Sequence, residues 1–159
     1  MKFSEDVLWN QLQDVRQFTL EVCASVDEGQ VHDVPKGFNN SILWNVGHII
    51  LDQDMWFHYL IADDSEVPAD YAKFFGYGTS PATWDGTPPS WTELMERLRA
   101  QPDQLKNKFT GRLEEPLLRE SELGMSTIGE VTPRTLYHEW YHLGYIQSIR
   151  RCLSVSSVG

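Results

Sequence analysis

Ser41 to Ala62 reads SILWNVGHIILDQDMWFHYLIA, a stretch apolar on more than one side and long enough to pass for a membrane span. Ile42, Val46, Ile49, Ile50, Met55, Trp56 and Leu60 supply the apolar surface, yet Asp52, Gln53 and Asp54 sit near its middle. Each ionised carboxylate there would cost on the order of 3 kcal/mol in lipid. The segment therefore reads as a helix buried inside a bundle. Its apolar positions exceed the roughly three per heptad that hiding one face requires, which points to a further covered face and a homodimer.

Outward from this helix, the chain divides into segments of helical period and polar connections. Upstream, Ser4 with Glu5 and Asp6 gives a cap and an acidic first turn, and Leu8, Leu12, Val15, Phe18, Val22 and Val26 recur at helical spacing. A first helix is predicted from about Ser4 to Val26, ended by DEGQVHDVPKGFNN. Downstream, residues 63–89 are rich in aromatic, Gly and Pro residues without a sustained period, and read as a long ordered loop over the core. Ser90 caps a third helix, SWTELMERLRAQPDQLKNKF, in which Pro102 should kink or break the Leu94, Leu98, Leu105, Phe109 face. Thr132 and Pro133 offer a cap and first position for a fourth helix, TPRTLYHEWYHLGYIQSIRRCL. With no alternating strands or hairpin signals, the expectation is all-α: one four-helix bundle domain over residues 1–159 with long connections.

Composition narrows the function classes. The chain has 159 residues, 41% hydrophobic and 23% charged, with six tryptophans and a net charge of −10. Such a field repels phosphate backbones and anionic lipid, so nucleic acid and membrane are poor partners. Acidic residues within the first six positions and the lack of an uninterrupted apolar region argue against a signal or transit peptide, giving a cytoplasmic expectation. Cys23 and Cys152 lack C-x-x-C spacing and read as small hydrophobes within helices.

The chemistry-bearing stretch is HEWYH, His138 to His142, which fits H-E-x-x-H. Two histidines four apart leave one helix face about a turn apart, close enough to share a metal ion. A metalloprotease helix also needs a downstream ligand, and LGYIQSIRRCLSVSSVG contains no His, Asp or Glu. A third ligand must come from another helix, and His32, His48 and His58 are available. His48 stands deep in the most apolar helix. His58, ten residues later, is turned roughly 80° from it, and a core-edge or solvated histidine is its ordinary reading.

Asn40–Ile49, NSILWNVGHI, together with Tyr137–Ile146, YHEWYHLGYI, resembles the DinB/YfiT-like superfamily. The resemblance implies a metal-binding four-helix bundle in which His48, His138 and His142 form a histidine triad around one divalent ion, Zn or Ni. It extends over nearly the whole chain in helix order. One departure is Tyr145, in place of the Gln that many relatives carry after the Gly, so no role of that Gln is carried over. Members of the family include transferases dependent on low-molecular-weight thiols such as bacillithiol and mycothiol, and others described as metal-dependent hydrolases. The implied activity is a thiol-dependent S-transferase acting on a small electrophilic substrate; the alternatives are a metal-dependent hydrolase and a non-catalytic metal-binding dimeric module. Asp52, one turn after His48, and Glu139, beside His138, are candidates to orient a ligand imidazole or carry a proton, and Trp44 and Tyr141 are candidates for the pocket wall. No catalytic residue is assigned.

Overall fold

The computed structural model describes residues 4–61, 64–121 and 123–156. Five helices lie among them: α1 (Glu5–Ala24), α2 (Ile42–Tyr59), α3 (Tyr71–Phe75), α4 (Trp91–Phe109) and α5 (Ile128–Ser156), with no named strand. α2 packs on α5 and α4, α1 packs on the same two helices, and α3 lies on α2. α1, α2, α4 and α5 therefore form a four-helix bundle with α1 diagonal to α2. No described helix is long and apolar enough to cross a membrane.

α2 starts where the hydroxyl of Ser41 accepts from the N–H of Trp44 at 3.1 Å. α3 on one side and α4 and α5 on the others cover most of its apolar surplus, while Met55 and Tyr59 stay exposed. Ala62, the predicted end of this helix, and Asp63, the predicted start of the loop, lie outside the described residues.

The loop expectation for 63–89 is corrected in part. It contains α3 and a 3-10 turn, Pro81–Thr83, folded around carbonyls at the end of α3. Trp84 Nε1 donates to Phe74 O at 2.7 Å, and Thr79 Oγ1 donates to the same carbonyl at 2.8 Å. Helices leave their last carbonyls without intrahelical donors, so these side chains replace the missing turns. Gly47 lets α3 approach α2: a Cβ there would stand 2.4 Å from the Phe75 ring.

α4 runs continuously through Pro102, contrary to the predicted break. Proline removes the N–H that would bond the carbonyl four residues earlier, here Leu98. Arg16 Nη1 donates to that carbonyl instead. The Arg16 guanidinium also forks onto Glu139, at 2.8 Å from Nε and 3.1 Å from Nη2, and Nη2 reaches Gln53 Oε1 at 2.9 Å and Gln101 Oε1 at 3.3 Å. Thr19 Oγ1 donates to Glu139 at 2.8 Å. Arg16 and Glu139 are 2% and 1% exposed, so this is a buried polar layer joining all four long helices.

α5 begins at Ile128, four residues before the predicted Thr132 and Pro133 start. Carbonyls of Glu115 and Leu113 accept from the N–H groups of Ile128 and Gly129 at 3.1 and 2.8 Å, supplying acceptors to the first turn. The Glu130 carboxylate accepts from the N–H of Ser126 at 2.6 Å and of Thr127 at 3.2 Å and closes that end. The proline consequently falls in the second turn. Both cysteines lie within helices, as read; Cys23 is buried, its thiol pushed up to about 12 by burial and the Glu139 charge, whereas Cys152 is exposed on α5.

Arg16→Met is expected to lower the urea-unfolding free energy by about 3–5 kcal/mol, because Glu139 stays buried without its counter-ion. Arg16→Met combined with Glu139→Met should recover most of that loss. A single variant within about 1 kcal/mol of the wild type would show that the layer tolerates an uncompensated charge.

Candidate metal centre

On α5, the four-residue spacing of His138 and His142 places their ring centroids 4.5 Å apart. His48 of α2 faces both, at 5.1 Å from His138 and 4.8 Å from His142. One candidate ligand atom from each of the three lies within 4.8 Å of the others, an arrangement compatible with binding a metal ion.

Each ring is held by its Nδ1. His48 Nδ1 lies 2.7 Å from Phe75 O, the carbonyl at the end of α3. His142 Nδ1 lies 2.8 Å from Asn45 Oδ1, and Asn45 Nδ2 donates to Ser41 O at 2.8 Å, which fixes the amide so that its oxygen faces the imidazole. His138 Nδ1 lies 3.1 Å from Asp52 Oδ2. The Phe75 and Asn45 oxygens thus place the proton of His48 and His142 on Nδ1 and leave Nε2 with its lone pair, and the Asp52 carboxylate lies beside Nδ1 of His138, the arrangement of outer partners around metal-binding histidines.

Electrostatics keep the rings neutral. Burial, then the charges of His142, Arg134 and His48, pushes His138 down to about 2. Burial, then His48 and Arg134, pushes His142 down to about 3. His48 is lowered chiefly by burial, against its bond to Phe75 and the charge of Asp52. Asp52 is raised by burial, an effect that Arg134 opposes by charge and by hydrogen bonding. Arg134 forks onto it, with Nη2 3.1 Å from Oδ1 and Nη1 on Oδ2, and stands 4.4 Å over the Trp56 ring.

Trp44 stacks on His48 at 4.6 Å and 14°. With Tyr141 and Tyr145 it lines a cavity of about 990 Å³ that takes in all three histidines. Glu139 is placed elsewhere: the next residue round the helix from His138 points at α1, where Arg16 and Thr19 hold it, and it does not line the cavity. It orients no imidazole here. His58 sits apart on Asp54, and His32 is exposed.

Three groups escaped the sequence reading. Arg134 was legible in principle, since it lies one turn before His138 on the same face. Asn45 stands three residues before His48, but a buried amide in an apolar helix gives no sign of its partner. The Phe75 carbonyl had no side-chain signal at all.

A family model described as the DinB superfamily matches residues 11–146. The comparison with curated proteins found no match. Among solved structures, a conserved protein from Enterococcus faecalis is similar at a TM-score of 0.68 and 14% identity, over 96% of this chain and 98% of its own. At that identity the likeness shows the fold.

Gly47→Ala is expected to lower stability by about 1–3 kcal/mol through overpacking against Phe75, and Phe75→Leu in the same chain should restore part of the loss. Unchanged urea midpoints in both variants would contradict the close approach.

An imidazole whose pKa falls on folding contributes stability that is present above its unfolded value of about 6.5 and lost as pH falls below it. Metal-free protein should therefore lose up to about 1 kcal/mol per pH unit for each of His138 and His142 between pH 6.5 and 4.5. His138→Gln is expected to flatten that slope in urea titrations, and an identical slope would refute the assignment.

Proposed function

This chain belongs to the DinB superfamily, and from that premise we propose that it is a divalent-metal-dependent enzyme transferring a low-molecular-weight thiol to a small electrophile. The observation that carries the metal part is the convergence of three imidazoles whose Nδ1 atoms each face another acceptor, Phe75 O, Asn45 Oδ1 or the Asp52 carboxylate. Such a donor set suits Zn²⁺ or Ni²⁺, with His48, His138 and His142 as ligands through Nε2. When bound, an ion held by neutral ligands keeps its full charge and supplies Lewis acidity that favours thiolate over thiol.

The chain's own residues do the rest. Phe75 O, Asn45 and Asp52 keep the three rings from turning, so no reorientation is required when a ligand arrives. Arg134 balances the Asp52 charge, which keeps that carboxylate on His138 rather than free to compete for the site. Trp44, Tyr141 and Tyr145 line the cavity and give a small electrophile an aromatic wall to lie against. In the proposed transfer the thiol proton leaves to solvent, a C–S bond forms at the electrophilic carbon, and the leaving group departs with its bonding pair. The hydrolase alternative is weakened because Glu139, the general base that H-E-x-x-H would supply, is occupied by Arg16.

Protein purified without an affinity tag should carry one divalent ion per chain. His48→Ala should lose it, while His32→Ala should keep it. In cobalt-substituted protein, bacillithiol, mycothiol, glutathione or cysteine should perturb the visible spectrum, and the active thiol should be conjugated to a reactive electrophile in a His138-dependent way. If no thiol perturbs the spectrum while simple esters are hydrolysed with the same dependence, the transferase reading is wrong.

A further inference from the structure

A second cavity, of about 390 Å³, lies along α2 and shares His48, Asp52 and Tyr77 with the cavity of the metal centre. Its rim is apolar. Met55, Tyr59 and Tyr77 border it and are 46%, 54% and 100% exposed, an unusual amount of large apolar surface around one opening. Tyr59 also carries the guanidinium of Arg119, 4.2 Å from its ring centroid.

Arg119 is exposed and has no carboxylate partner among the described residues, while the other charges lining this cavity are balanced. Asp52 is matched by Arg134. Asp54 is matched by His58, whose Nδ1 lies 3.2 Å from Oδ1 and 3.0 Å from the Asp54 carbonyl. The same carboxylate accepts from the N–H of Glu66 at 3.1 Å and from the Ser65 hydroxyl, so its oxygens are spoken for. Among the described residues, one positive charge is left over.

His58 supplies a second, separate observation. It is 2% exposed, it lines the cavity, and its Nε2 has no partner among the described residues. Burial lowers its pKa, the hydrogen bonds and charge of Asp54 raise it, and the outcome is above 6.5. When protonated, the ring has two N–H donors, one on Asp54 and one without a partner among the described residues, and a buried donor left unmade is unfavourable.

We propose that this cavity binds a small apolar carboxylate, its anionic end between Arg119 and His58 and its apolar body along Leu51 and Met55 toward the wall of the metal centre. A smaller cavity of about 280 Å³, which Asp54 and His58 also line, does not fit this ligand. Its Arg97 and Lys108 already have carboxylates, Glu93 at 3.2 Å and Glu66 at 3.4 Å, so no second free cation stands there beside His58 among the described residues. The assignment is independent of the metal reading, since nothing in it uses the Nε2 atoms of the three histidines.

The test is calorimetric titration of chelator-treated, metal-free protein with 4-phenylbutyrate and with the neutral 4-phenylbutan-1-ol, accompanied by ¹⁵N spectra of the imidazoles. The expected result is saturable one-to-one binding of the acid, at least tenfold weaker binding of the alcohol, and a shift of the His58 Nε2 resonance. Arg119→Gln, an exposed change that leaves the core alone, should weaken the acid at least tenfold, whereas His138→Ala should leave its affinity unchanged. Equal affinity for acid and alcohol, unchanged binding in Arg119→Gln, or absence of saturable binding would overturn the proposal. So would loss of binding in His138→Ala, which would put the carboxylate at the metal-centre imidazoles.

Discussion

The Arg16 side chain touches all the long helices at once. From α1 it reaches Glu139 of α5, Gln53 of α2, and both Gln101 and the Leu98 carbonyl of α4. On every helix this polar layer separates two apolar clusters. Cys23, Ile50, Leu98 and Ile146 lie on one side, and Leu12, Phe57, Leu105 and Val131 on the other. A buried ion pair adds little to net stability compared with apolar packing, yet sliding any helix by one turn would strand a charge or an amide in an apolar cluster. The layer therefore sets the mutual register of the helices, and with it the height at which His48 meets His138 and His142.

Asp52, Gln53 and Asp54 show how that register reaches the functional face. Successive helical residues are turned by about 100°, so three adjacent polar side chains leave α2 in three directions. Asp52 goes to Arg134 and His138, Gln53 to Arg16, and Asp54 to His58 and the Ser65 turn. The central layer, the metal centre and the wall of the second cavity are consequently fixed relative to one another by one rigid element. α3 adds the last restraint. Because Gly47 leaves room for Phe75, the carbonyl at the end of α3 comes within reach of His48, and the ring is held from outside the bundle.

The electrostatic character of the centre follows from this packing. Three imidazoles at 4.5 to 5.1 Å, buried and beside Arg134, resist protonation because each proton would be added next to another positive group in a poorly solvated place. Lone pairs that protons do not occupy remain for another cation. The fork from Arg134 to Asp52 balances that carboxylate, and Trp44 covers one face of the His48 ring by stacking on it.

Read alone, the amino-acid sequence determined the all-helical bundle, because helical apolar spacing and caps such as Ser41 and Ser90 are local properties of the chain. It also determined the pairing of His138 with His142, a consequence of four-residue spacing on one helix. The choice of His48 over His58 came from the apolar setting of His48 and from the family resemblance together. What only the tertiary structure decided depends on groups brought from elsewhere. Pro102 does not break α4 because a guanidinium from another helix takes the carbonyl it frees, and α5 starts before Pro133 because carbonyls of a distant segment accept its first N–H groups. Glu139 looks like a catalytic base from its motif, but helix rotation carries it to Arg16. The carbonyl of Phe75 holds His48 although a backbone oxygen leaves no mark in a sequence. Local spacing fixes which side chains share a face of their own helix, whereas the partner each one meets is fixed by packing between helices.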